Sequence, residues 1–90
     1  MIESAPPHSV LTLPSEAVKR DGRHVPFDAE KIRSALARAG LASEEYDYDE
    51  ASLLTAQVTK VLIHRFHGQP PPIEQIQDVV EQTLIAANHL

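Results

Sequence analysis

The absence of cysteine and of long apolar runs sets the first limits on this chain of 90 residues. Without cysteine, disulfide staples and thiolate metal sites are excluded. No apolar run approaches the roughly 18 residues of a membrane-spanning helix. The N-terminus also lacks the basic region and apolar stretch of a signal peptide, so we expect a cytoplasmic protein with no membrane partner.

Catalytic signatures are missing as well. The three glycines form neither a G-x-x-x-x-G-K-[ST] loop nor a kinase-type glycine loop, and no serine or histidine has a recognisable nucleophile context. His64 and His67 alone would make an incomplete zinc site. We therefore expect a small domain without catalytic residues and without a metal bound by the protein itself.

Positive charge is concentrated in one part of an acidic chain. The net charge is −5, yet six of the eight Lys and Arg residues fall within residues 19–38, while acidic residues crowd residues 44–50. One basic patch on an acidic domain favours a small anionic ligand over a long nucleic acid. On charge alone, a merely solvated hairpin and helix are the better explanation.

The pair Asp21-Gly22 predicts a tight hairpin, because both residues suit a two-residue type I′ turn. Such a turn pairs Val18 with Val25, and strand alternation then places Phe27 on the face of these two valines. The expected pairs nearer the tip are Arg20 with Arg23 and Lys19 with His24.

Three helices are predicted after the hairpin, over about residues 29–39, 49–66 and 73–88. Asp28 is the expected N-cap of the first, Phe27 and Ile32 have the spacing of a hydrophobic staple, and Gly40 is the expected C′ residue. The apolar stripes are Ile32, Ala35, Leu36 and Ala39 on the first helix, and Ile73, Ile76, Val80, Leu84 and Ala87 on the third. Residues 1–16 are expected to form a flexible tail, with a short strand over 10–13.

The segment Val18-Lys19-Arg20-Asp21-Gly22, followed by Phe27-Asp28 and Lys31-Ile32, resembles the opening of the ATP-cone domain. Residues 73–81 resemble that family's third helix, so the resemblance covers residues 17–90. It implies an α+β fold in which a small antiparallel sheet caps a bundle of four helices. ATP cones usually stand at the N-terminus of ribonucleotide reductases, where they bind ATP or dATP and set overall activity.

The resemblance assigns a nucleotide site to matching positions. Lys19, Arg20 and Lys31 would hold the phosphates, since the hairpin leads directly into a helix N-terminus that favours anions. The expected apolar slot consists of Val18, Phe27, Ile32 and Ile76, and the expected polar contacts to base or ribose are Asp28 and Gln77. For Val18, Ile32 and Ile76, plain core packing is the better explanation, and it is compatible with lining a pocket. ATP or dATP is the expected effector, with or without Mg²⁺.

Two departures from the family pattern carry expectations of their own. Val25 stands where many cones have a polar or acidic residue, which would remove a contact to the base. The chain ends at Leu90, where the family continues into a fourth helix, so we expect an excised fragment with an open seam and self-association through exposed helix faces. The seam residues would be Leu54, Val61, Leu62, Val80 and Leu84.

Three functions remain open at this point. The first is a regulatory domain that binds without hydrolysis and contacts the catalytic domain of a parent reductase. The second is the cone of a nucleotide-responsive DNA-binding repressor, which the lack of cysteines for its zinc ribbon disfavours. The third is a ligand-free helical interaction module, which would leave the Lys and Arg cluster unexplained.

Overall fold

In the computed structural model, which describes residues 13–87, a two-stranded hairpin caps three helices. The elements are β1 (Glu16–Val18), β2 (His24–Pro26), α1 (Ala29–Ser43), α2 (Tyr48–Phe66) and α3 (Ile73–Ala86). The expected α+β fold is confirmed. Within the described range no helix combines the length and apolarity needed to cross a membrane. The predicted strand over 10–13 lies outside this range except for Leu13, which is not in a strand.

The central helix is α2, which packs against α1 along one side and against α3 along the other. Its apolar residues recur at helical spacing and meet both neighbours, so they form the core. The fully buried members of that core are Leu36, Ala51, Leu54, Val58, Leu62 and Val79. The expectation of an open seam is wrong for Leu54 and Leu62, which are 1% and 0% exposed. The other three predicted seam residues are half-buried.

Helix α1 extends one turn further than predicted, because Gly40 is not its end. Gly40 is buried inside the helix, and the ring of Tyr46 lies where a Cβ at this position would stand. The Tyr46 hydroxyl donates a hydrogen bond of 2.6 Å to the carbonyl of Leu36. The helix ends instead at Glu44, which takes the left-handed conformation with φ 59°. Glycine is therefore used here for a close approach of a ring to the backbone.

The start of α1 follows the prediction. Asp28 is the N-cap, and its side chain accepts a hydrogen bond of 2.9 Å from the backbone N–H of Glu30. Phe27 and Ile32 pack against the same buried cluster, as a hydrophobic staple requires. These contacts fix the angle at which the hairpin enters the helix.

The predicted hairpin register is wrong by one residue. β1 and β2 pair Ala17 with Val25 and Val18 with His24, around a three-residue loop in which Gly22 has φ 89°. The loop is longer because the Asp21 carboxylate accepts hydrogen bonds from the backbone N–H and the Nε of Arg23, at 3.0 and 2.8 Å. Ala17, not Val18, therefore shares the face of Val25.

The hairpin is also attached to the head of α3. The backbone N–H of Val18 donates to the carbonyl of Pro71 at 2.9 Å, and Val18 forms a parallel bridge with Pro72. Since β2 runs directly into α1, the hairpin lies over the N-terminal ends of α1 and α3 together.

The prediction for α2 is confirmed to within one residue. Asp47 is its N-cap and accepts from the backbone N–H of Glu50 at 3.0 Å, while His67 caps the end in the left-handed region. On α3 the buried positions are Val79 and Thr83. The predicted stripe of that helix is half-buried and lies to one side of them, where Ile76, Val80, Leu84 and Ala87 pack against the two buried clusters. The predicted end of α3 at residue 88 lies outside the described residues.

Candidate functional site

A cavity of about 460 Å³ lies between α1 and α3, beneath the hairpin. It exists because α1 and α3 both pack on α2 but scarcely touch each other. The hairpin closes one end of the gap. The residues that line the cavity are Ala17, Val25, Pro26, Phe27, Asp28, Lys31, Ile32, Ala35, Leu36, Ala39, Ile73, Ile76, Gln77, Val80, Glu81 and Leu84.

The walls of this cavity are mainly apolar. On the α1 side Ala35 and Ala39 are one turn apart, and their small side chains leave room between the helices. On the α3 side Ile76 and Val80 are also one turn apart, and both pack against the buried core. A cavity with mainly apolar walls and a few polar groups is typical of sites that bind small organic ligands.

Four polar side chains line the same cavity: Asp28, Lys31, Gln77 and Glu81. Asp28 caps α1, so its carboxylate is held at the start of this helix. Lys31 is exposed in the first turn of α1, where backbone N–H groups and the helix dipole attract anions. This end of the cavity is suited to a negatively charged group.

The cavity unites six of the nine predicted site residues and omits three. Those that line it are Phe27, Asp28, Lys31, Ile32, Ile76 and Gln77. Val18, Lys19 and Arg20 do not line it. The register explains the first case, because Ala17 takes the inward position expected for Val18.

Comparison with known proteins identifies the family. Residues 16–90 match the ATP cone domain. The chain belongs to the ATP-cone family. This confirms the resemblance read from the hairpin and from α3, and it makes the chain a nucleotide-binding regulatory domain.

Relatives of this ATP cone include two reductases. It is 38% identical over 72 residues to the vitamin B12-dependent ribonucleoside-diphosphate reductase of Thermoplasma acidophilum, covering 80% of this chain and 9% of that protein. It is 36% identical over 69 residues to the anaerobic ribonucleoside-triphosphate reductase of Escherichia coli, covering 77% of this chain and 9% of that protein. The ATP cone thus spans about a tenth of the length of these relatives.

Two of the predicted site cations of this ATP cone, Lys19 and Arg20, do not line the cavity and lie at the hairpin tip. Lys19 begins the loop, where its backbone accepts from Gly22 and donates to Arg23. Arg20 is exposed, and its Nε lies 2.9 Å from a carboxylate oxygen of Glu74 in the first turn of α3. Arg20 is therefore near the head of α3, above the cavity mouth.

The pKa of one hairpin carboxyl reflects this arrangement. The backbone N–H of Arg23, and then its guanidinium, hold the pKa of Asp21 below its usual range. Arg23 is thereby paired at the tip, whereas Lys31 has no hydrogen bond or ion pair from its side chain among the described residues. Among the described residues that line the cavity, Lys31 is the one that carries a positive charge.

Two kinds of lining residue escape sequence reasoning. Ala17 depends on a one-residue shift of register, which the Asp21-Gly22 pair alone did not reveal. Glu81 is absent from the residues that the sequence predicts for the site. A helical count from Gln77 to Glu81, four residues apart and thus on one face, would have placed both at the same wall.

Proposed function

We propose that this ATP cone binds ATP or dATP in the cavity between α1 and α3, with the phosphates at the hairpin end. The observation that carries the proposal is the cavity itself, an apolar slot of about 460 Å³ with Lys31 at one end. Such a volume falls in the range of pockets that hold small organic ligands.

Two helix N-termini indicate which end of the cavity would hold the phosphates. α1 begins at Ala29 and α3 at Ile73, and the hairpin covers both starts. Backbone N–H groups and helix dipoles at both places favour negative charge. Lys19 and Arg20 on the hairpin lie close enough in sequence and fold to add cations there, as Arg20 already meets the head of α3.

The role of the bound nucleotide follows from family and relatives. We infer that it acts as an effector that is bound without hydrolysis, alone or with Mg²⁺, and that sets the overall activity of a ribonucleotide reductase. Two reductases among the relatives support this parent. Contact with the catalytic domain of that reductase, a cytoplasmic location and self-association stay predictions.

Calorimetric titration of the chain with ATP and with dATP tests the site. Lys31→Ala should weaken binding by about 1.5–3 kcal/mol, the usual loss for a hydrogen bond to a charged group. Lys60→Ala is the matched control, because Lys60 is exposed on α2 and outside the cavity. Rising salt should weaken binding to the wild type and less so to Lys31→Ala, since part of the attraction is exposed to screening.

Equal losses for the two lysine variants would contradict the phosphate site. Release of inorganic phosphate from ATP by the pure chain would contradict binding without hydrolysis. Failure of the wild type to bind either nucleotide would remove the proposed function altogether.

A further inference from the structure

Both arginines of the hairpin tip are paired with carboxylates. The Nε of Arg23 lies 2.8 Å from a carboxylate oxygen of Asp21 within the same loop. The Nε of Arg20 lies 2.9 Å from a carboxylate oxygen of Glu74, which belongs to the first turn of α3. The second pair therefore joins two elements, and it lies at the end of the cavity where the phosphates are proposed to bind.

The ion pair of Arg20 and Glu74 can open without dismantling the fold. The two side chains are 82% and 61% exposed, and neither residue lines the cavity. Exposed ion pairs contribute little to stability, because water solvates the separated charges well. The hairpin is also attached to the segment before α3 by the backbone hydrogen bond from Val18 to Pro71. Arg20 can therefore exchange one anionic partner for another.

Resting on the proposed function, we propose that Glu74 competes with the phosphates of the nucleotide for Arg20 and thereby lowers the affinity of the site. A guanidinium donates hydrogen bonds to carboxylates and to phosphates in the same fork geometry. A triphosphate at the hairpin end takes Arg20 from Glu74, and the exposed carboxylate returns to water. Glu74 thus sets the nucleotide concentration at which the domain becomes occupied, without contact to the base or the sugar.

Calorimetric titration with ATP at low salt tests the competition through a double-mutant cycle. Glu74→Gln should tighten binding by about two- to fivefold, the range expected when an exposed ion pair no longer has to be broken. Arg20→Gln alone should weaken binding. In the Arg20→Gln background, Glu74→Gln should have a smaller effect, because only the general repulsion between the carboxylate and the phosphates is then removed.

Glu30→Gln is the matched control. Glu30 is in the first turn of α1, its side chain is 65% exposed, and its ion pair is with Arg33 of the same helix. Its substitution removes the same charge from the same end of the domain, so it measures the general repulsion. The effect of Glu30→Gln on ATP affinity should be equal with and without Arg20.

Nuclear magnetic resonance provides a second readout, the Nε–H signal of Arg20. In the free proteins this signal should differ between the wild type and Glu74→Gln, since only the wild type has the carboxylate. With ATP at saturation the two signals should coincide, because Arg20 then contacts phosphate in both proteins.

Weaker ATP binding by Glu74→Gln would overturn the inference, because Glu74 would then hold Arg20 in position for the ligand. Equal gains in the two backgrounds would also overturn it, by leaving general repulsion as the whole effect, and so would signals that stay different at saturation. In each of these cases the wild type binds ATP, and the proposed function stands. Absence of nucleotide binding to the wild type would overturn both.

Discussion

Helix α1 has two apolar sides that the protein uses in different ways. Toward α2 the helix is closed, with Leu36 2% exposed and in contact with Ala51 and Leu54. Toward α3 it is open, and Ala35 and Ala39 remain exposed along the cavity. Apolar character does not separate a core stripe from a site stripe. The size of the side chains and the distance to the opposite helix distinguish the two stripes.

The closed side is held by a specific contact at the far end from the hairpin. The ring of Tyr46 packs on Gly40, and its hydroxyl is bonded to the Leu36 carbonyl one turn earlier. Nothing equivalent joins α1 to α3 among the described residues. Substitutions on the two sides should therefore differ in kind, the closed side changing stability and the open side changing binding.

The largest expected effect is at the centre of the closed side. Leu54→Ala should lower the free energy of unfolding by about 2–5 kcal/mol, because Leu54 is 1% exposed and its removal leaves a cavity. Leu84→Ala should cost less than half as much, since Leu84 is half-buried at the open side. Chemical denaturation of both variants measures the difference. Equal losses would show that the cavity wall is as tightly packed as the core.

Next in size is the coupling between Gly40 and Tyr46. Gly40→Ala should destabilise the wild type by about 1–3 kcal/mol, because the added Cβ overlaps the tyrosine ring. In a Tyr46→Ala background the same change should stabilise by up to about 1 kcal/mol, since alanine is the better helix former. A double-mutant cycle by denaturation tests this reversal of sign. An unchanged sign would mean that the ring does not hold α1.

Substitutions on the open side of α1, which faces α3, should change nucleotide affinity more than stability. Ala35→Leu places a larger side chain in the cavity, so we expect nucleotide affinity to fall at least about tenfold, equivalent to about 1.4 kcal/mol, with little loss of stability. Ala42→Leu is the matched control, because Ala42 is exposed on the same helix and outside the cavity. Titration and denaturation of the two variants together separate binding from folding. Equal affinities would place the nucleotide elsewhere.

The smallest expected effect is a loss of stability at alkaline pH. Burial raises the pKa of Tyr46 above its ordinary value of 10.0, and the charges of Glu45 and Glu50 act in the same direction. The folded state therefore favours the neutral phenol. This contribution is complete below the pKa of the unfolded chain and is lost as pH rises through the higher pKa of the folded state. Denaturation midpoints across this range should fall less steeply in Tyr46→Phe, whereas an identical pH dependence would contradict a role for the phenol.

Local signals predicted much of the fold. The Asp28 cap, the Phe27–Ile32 staple and the periodicity of α2 each depend on residues close in sequence, and each is confirmed. The end of α1 was missed because the function of Gly40 depends on Tyr46, which belongs to the next segment. The hairpin register was missed because the Asp21 carboxylate competes for the Arg23 backbone N–H, which turn preferences alone do not weigh.

The residues of the candidate site also differ in whether local sequence predicts them. Residues in the first turn of α1, such as Lys31, follow from a motif and line the cavity. The contribution of Ala17 follows from strand pairing, and that of Glu81 from how far apart two helices stand. Helix separation is a property of the assembled domain. No pattern within one helix reports it.

The backbone hydrogen bond from Val18 to Pro71 ties the hairpin to the segment that leads into α3, so it depends on the width of the cavity. The hairpin is joined covalently to α1 through Phe27 and Asp28, and to the head of α3 through this bond. A ligand that pushes the two helices apart must either tilt the hairpin or break the bond. The solvent-exchange rate of one amide proton, that of Val18, therefore reports the spacing of two helices that scarcely touch.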